Sequence, residues 1–181
     1  MSPVFTIGHS TRSSEQLLSL LRAHGIERVV DVRRFAGSRR YPHFSQKELN
    51  ATLEAAGIAY AHAEPLGGRR PAKPDSPNAG WRDRAFRGYA DYMGTQDFRA
   101  ALDDLIATSA PIRTAILCAE AVPWRCHRNL ISDALVARGI EVRHILSEDR
   151  AEPHTLSSHA RVRPDGSLVY PDPESQLGLL D

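Results

Sequence analysis

Cys118, Glu120, Arg125, Cys126, His127 and Arg128 all fall within one short stretch, and both cysteines of the chain are among them. Groups of this kind exchange protons, donate electron pairs and hold anions. The stretch follows an apolar run, residues 112–117, that reads as a buried strand, and it opens a helical pattern reaching to about Arg138. In an open α/β sheet, the junction of a strand end and a helix start is where chemistry is usually placed. Cys126 falls near the start of the helical pattern with Arg125 and Arg128 on either side. Cationic neighbours and helix N-termini lower a thiol pKa from about 8.5, so Cys126 is a candidate thiolate for nucleophilic or redox work. The plain alternative is a small packed cysteine, and that reading suits Cys118 at the strand end better. Glu120 lies just past the strand, where the sequence shows no structural duty for a carboxylate. It is a candidate general base or nucleophile, with ion pairing to Arg125 or Arg33 as the alternative.

Soft metal ligands are present in Cys118, Cys126, His127 and His9, and residues 154 and 159 add two histidines. No Cys-x2-Cys or His-Glu-x2-His spacing accompanies them, so the expectation is no metal site. A phosphatase-type Cys-x5-Arg loop fails too: six residues separate Cys118 from Arg125, and Glu120 would oppose a phosphate there. Neither a Gly-x-Gly-x-x-Gly motif nor a phosphate-binding P-loop occurs.

The chain has 181 residues, enough for one domain with a sizeable core. No apolar run approaches the roughly 20 residues of a membrane span, and a strand begins almost at the N-terminus, so a cytoplasmic protein with no membrane partner is expected. Net charge is +1, yet residues 1–90 carry 14 Lys/Arg against 8 Asp/Glu, and residues 91–181 carry 9 against 14. The excess sits in three clusters: Arg33, Arg34, Arg39 and Arg40; Arg69, Arg70 and Lys73; Arg82, Arg84 and Arg87. Such clusters suit phosphates, unless nearby acids simply balance them.

The elements that must position these groups follow an alternating pattern. Strands are expected over 4–7, 26–32, 58–62, 112–117 and 140–146. Ser13 with Gln16, and Ser45 with Glu48, have capping-box spacing. Helix, Gly-Ile, strand recurs at Gly25-Ile26, Gly57-Ile58 and Gly139-Ile140. This pattern predicts a three-layer, Rossmann-like α/β fold with a mostly parallel sheet of about five strands and right-handed crossovers. A single domain over 1–181 is expected, with an irregular binding or lid loop at 64–88 and a C-terminal extension at 147–181 carrying a hairpin around Asp165-Gly166. In such a sheet the strand C-termini share one edge. That edge would gather His9 and Arg12, Asp31 with Arg33, Arg69, and the stretch from Cys118 to Arg128. Asp31 could orient Arg12 or His9 there.

The chain resembles a bacterial family of uncharacterised proteins, the domain-of-unknown-function 488 family. The matching residues are Thr6-Ile7-Gly8-His9-Ser10 with Arg12, Asp31-Val32-Arg33 with Gly37-Ser38-Arg39, and Pro42-x-Phe44. Gly57-Ile58-x-Tyr60, Leu66-Gly67-Gly68-Arg69, and Leu117-Cys118-x-Glu120 leading to Cys126-His127-Arg128 continue the match. The resemblance implies one compact α/β domain with these clusters around a shared pocket, and it brings no reaction with it.

Taken together, the residues suggest an enzyme of hydrolase or transferase type. Arg33, Arg39, Arg69 and Arg128, with Arg12, Asp31, Arg125 and His127 nearby, would hold a phosphorylated ligand such as a nucleotide or nucleic acid. Glu120 would carry the chemistry, with Cys126 and His9 as alternatives. Aromatic residues between the basic clusters could stack on bases. A thiol redox or sulfur-transfer protein using Cys126, and a non-catalytic nucleic-acid-binding module, are the competing readings.

Overall fold

In the computed structural model, which describes residues 2–174, the expected alternation builds a six-stranded sheet. The strands are β1 (Val4–Gly8), β2 (Arg28–Asp31), β3 (Ala59–His62), β4 (Thr114–Cys118), β5 (Val142–Ser147) and β6 (Arg150–Pro153). Their order is β3-β2-β4-β1-β5-β6; all neighbours are parallel except β5 and β6. The five parallel strands coincide with those read from the sequence to within two residues at most boundaries. The sixth, antiparallel strand was not foreseen. A two-stranded antiparallel hairpin, β7 (Arg161–Val162) and β8 (Leu168–Val169), spans the Asp165-Gly166 turn. The C-terminal extension is described as far as Glu174; the rest of it lies outside the described residues.

The period of two along each strand makes the layers, because successive side chains leave opposite faces. From β4, Ala115 and Leu117 join Phe5, Ile7 and Val29 on one face. There they meet Leu17 and Leu21 of α1 (Ser14–Ala23) and Leu49 and Leu53 of α2 (Gln46–Ala55). Ile116 and Cys118 join Val30 and Val142 on the other face. Their partners include Tyr89 of α3 (Arg84–Met93), Leu102 and Leu105 of α4 (Gln96–Ser109), and Leu130 and Ile131 of α5 (Arg128–Ala137). With both faces covered, every residue of β1 and β4 is buried, as parallel strands require. Each fully buried leucine contributes about 1.5–3 kcal/mol of transfer free energy.

The Ser13–Gln16 capping box forms in full at α1. The Ser45–Glu48 pair does not: the Ser45 side chain makes no capping bond, because Ser45 also closes the 3-10 turn Pro42–Phe44 that leads straight into α2. The helix-stopping glycines Gly25, Gly57 and Gly139 have φ of 62°, 75° and 77°, the left-handed region their position demands.

Residues 64–88 are less irregular than their composition suggests. A 3-10 turn covers Glu64–Leu66, and α3 already begins at Arg84. The loop between is fastened by Asp91, which is 6% exposed. Its carboxylate accepts from the Lys73 backbone N–H (2.8 Å), Ser76 Oγ (2.5 Å) and Asn78 Nδ2 (2.8 Å). Among the described residues, no helix is long and apolar enough to cross a membrane.

Candidate functional site

Strand register brings the candidate residues to one edge. Gly8 pairs with Cys118, and Asp31 lies opposite both Leu117 and His62, so β1, β2, β3 and β4 all end level with one another. The loops that follow are laced together. His9 N donates to the Cys118 carbonyl (2.9 Å), Ser10 N to the Ala119 carbonyl (2.8 Å) and Val32 N to the Leu117 carbonyl (2.9 Å). Beyond this edge lies a pocket of about 340 Å³.

Of the eleven residues expected at the site, Arg33, Arg69, Glu120, Arg125, Cys126 and His127 line this pocket. Arg34, Phe35, Gly68 and Cys118 line it as well. Cys118 both packs and lines the pocket: it is 6% exposed and belongs to the core. Phe35 is the most exposed aromatic residue lining the pocket. It is 63% exposed, with the Arg34 and Arg69 guanidiniums 5.4 and 6.0 Å from its ring. The aromatic residues Phe44 and Trp81 are turned inward instead.

Behind the pocket wall stand Asp31, His9 and Arg128. Asp31 is fully buried and grips Arg33 with both oxygens, Nε to Oδ1 at 2.9 Å and Nη2 to Oδ2 at 2.6 Å, while Tyr60 donates to Oδ2 at 2.7 Å. Arg33 Nη1 donates to the Phe44 carbonyl (2.8 Å) and meets His9 Nε2 at 3.4 Å. Burial, with a contribution from the Arg33 charge, lowers the His9 pKa to about 4. His9 is therefore neutral. Its Nδ1, 3.0 Å from the Ser10 carbonyl, carries the proton, and its Nε2 lone pair faces Arg33. His9 positions Arg33 rather than reaching the pocket.

Arg128, expected to meet the ligand, is 1% exposed. It donates to Thr6 Oγ1 (3.0 Å) and to the Glu120 backbone carbonyl (2.5 Å), clamping the loop that carries Glu120. A signal for this was present in the sequence. Arg128 stands three, four and seven positions before Ile131, Ser132 and Leu135, on the buried face of α5. Thr6 continues inward to His144 Nδ1 (2.7 Å), His144 Nε2 to His154 Nδ1 (2.9 Å), and His154 Nε2 to Asp133 (2.8 Å). Arg12 and Arg39 stay outside the pocket: Arg12 is half-buried and bonded to the Gly8 carbonyl, and Arg39 is exposed.

At the floor, the sulfurs of Cys118 and Cys126 are 2.7 Å apart, both as free cysteines. The hydrogen bond to Cys126, followed by burial, pushes the Cys118 thiol up to about 12. Burial also opposes the Cys126 thiolate, but the Cys118 hydrogen bond and the charge and N–H groups of Arg128 outweigh it, and its pKa falls to about 7. His127 Nδ1 lies 3.6 Å from Cys126 Sγ and 4.0 Å from Cys118 Sγ, and its Nε2 is 2.8 Å from the Val32 carbonyl.

The rim is cationic. Arg33 is neutralised by Asp31, and Arg34 has only a loose pairing with Glu64 at 4.0 Å. Among the described residues, neither Arg69 nor Arg125 has an ion-pair partner. Arg69 holds φ of 59°, with its carbonyl bound by Arg34 Nη1 at 2.7 Å.

Fold and site together define an α/β domain whose strand-end loops gather around one pocket. The model of the domain of unknown function DUF488 matches residues 13–135, and the chain belongs to that family. The matched span takes in every residue lining the pocket. No curated protein and no solved structure gives a significant match.

Proposed function

We propose that this protein is an enzyme that binds a phosphorylated ligand, a nucleotide or nucleic acid, between Arg34, Arg69 and Arg125, and transforms it by a hydrolase- or transferase-type reaction. The observation that carries the reading is the pair of guanidiniums, Arg69 and Arg125, that line the pocket with no ion-pair partner among the described residues. Arginine forks match phosphate oxygens two at a time. Phe35 offers an exposed aromatic face on the same wall for a base. Glu120 is the acid–base group: its carboxylate is exposed at the pocket while Arg128 holds its backbone. Cys126 and, through Arg33, His9 support the site. The test is turnover of a panel of nucleotides and short oligonucleotides by the wild-type protein and by Glu120→Gln. General acid–base work predicts a loss of about 10²–10⁴-fold in the variant; full turnover by Glu120→Gln would rule out that role.

A second reading is favoured by the contact between the two sulfurs. Sulfur transfer would begin with the Cys126 thiolate attacking the outer sulfur of an anionic donor such as thiosulfate, expelling sulfite and leaving a persulfide. Cyanide would then remove the outer sulfur as thiocyanate and regenerate the thiolate. Thiocyanate formation that survives Cys126→Ser would exclude it.

A further inference from the structure

The pocket floor holds a donor set that the sequence spacing did not announce. Sγ of Cys118, Sγ of Cys126 and Nδ1 of His127 lie within 4.8 Å of one another. Eight positions separate the cysteines, one on a strand end and one beyond a 3-10 turn (Pro123–Arg125), and the fold closes that gap. We propose that these three atoms form a metal site for zinc, with the fourth position of the tetrahedron open to the arginine-lined pocket.

Four observations carry it. The first is the tautomer of His127: with Nε2 2.8 Å from the Val32 carbonyl, the proton is on Nε2, and the Nδ1 lone pair faces the two sulfurs. A ligating histidine characteristically gives its other N–H to a carbonyl or carboxylate in this way. The second is distance. Zinc–sulfur and zinc–nitrogen bonds of about 2.3 and 2.0–2.1 Å imply sulfur-to-nitrogen edges of about 3.6 Å in a tetrahedron. The observed values are 3.6 and 4.0 Å. The sulfur pair, 2.7 Å apart, would open by about 1 Å to reach its own edge of about 3.8 Å. The third is Arg128, whose buried Nε makes no hydrogen bond of normal geometry. The same residue interacts with Cys126 through backbone and side chain, a contact that a metal-bound thiolate would keep. The fourth is Gly68, which leaves His127 uncovered: a Cβ built there would lie 3.0 Å from Nδ1.

Two thiolates and an imidazole are soft to borderline donors that suit zinc better than magnesium or calcium. Three protein ligands with one open position is the arrangement of catalytic zinc rather than structural zinc. Glu120 lines the same pocket without belonging to the donor set. The metal site does not depend on what the arginines hold, and its test reads metal rather than turnover.

The full chain, purified under anaerobic reducing conditions, is titrated with Co²⁺ and then with Zn²⁺. One cobalt per chain with a thiolate-to-cobalt charge-transfer band in the near ultraviolet, displaced by one zinc, is the expected result. Cys118→Ser and His127→Gln should each weaken zinc by more than about 100-fold, beyond the 10–100-fold typical of losing an outer-shell partner. A second measurement needs no variant: zinc should protect both cysteines of the wild-type chain from alkylation. A fully reduced wild-type protein that gives no charge-transfer band, and whose cysteines alkylate equally fast with and without zinc, would overturn the proposal. So would variants that keep wild-type zinc affinity.

Discussion

The carbonyl oxygen of Glu120 occupies the space where a side chain on Gly8 would begin. A Cβ built on Gly8 would come within 1.7 Å of that oxygen and 2.9 Å of the Ala121 Cα. The end of β1 and the loop after β4 are thus in backbone contact, and Arg128 clamps the loop from beneath. Gly8→Ala must displace this backbone. The expected cost is about 1–3 kcal/mol of stability, measured by chemical denaturation. Under the proposed function, turnover should fall further than the stability loss explains, since Glu120 moves with the loop. An alanine variant with unchanged stability would mean that the loop is free to retreat.

Arg33 lines the pocket while its charge is answered from behind by Asp31. Asp31→Asn keeps the shape of the side chain but leaves a buried guanidinium unpaired. Breaking a buried pair from one side costs about 3–5 kcal/mol, and urea denaturation should show the unfolding free energy shifted down by that amount. A shift below about 1 kcal/mol would mean that Arg33 finds another partner or reaches water.

Acid stability should depend on His144. Burial first, then the charges of His154 and Arg128, lower its pKa from 6.5 to about 3. Between pH 6.5 and 3 the unfolded chain therefore binds a proton that the folded chain refuses. The stabilisation is complete above pH 6.5 and is lost as pH falls through this window. Thermal denaturation at stepped pH values should show Tm falling below pH 6.5, and His144→Gln should flatten that slope. An unchanged slope would place the sensitivity elsewhere.

Much of this was legible before the fold was known, and particular residues show why. The Gly-Ile stops after α1, α2 and α5 mark αβ units, and parallel topology then sends Gly8, Asp31 and Cys118 to one edge with no further information. The sixth strand escaped notice because Arg150–Pro153 is short, polar and on the sheet edge, where no alternation is imposed. Arg128 was read as a ligand contact because periodicity counts apolar side chains and is silent about a buried guanidinium. The proximity of Cys118, Cys126 and His127 is not visible in the sequence, because spacing stands in for distance only along one element. Cys118 and Cys126 belong to different elements, and packing alone brings their sulfurs together.

The reading of the pocket as a phosphate site is tested most directly by binding of a short 5′-phosphorylated single-stranded oligonucleotide across a range of salt. Three arginine contacts predict a slope of log affinity against log salt of about −2, at about −0.7 per phosphate contacted. Arg69→Ala and Arg125→Ala should each make that slope shallower by about 0.7. An affinity indifferent to salt, and unchanged in both variants, would contradict it.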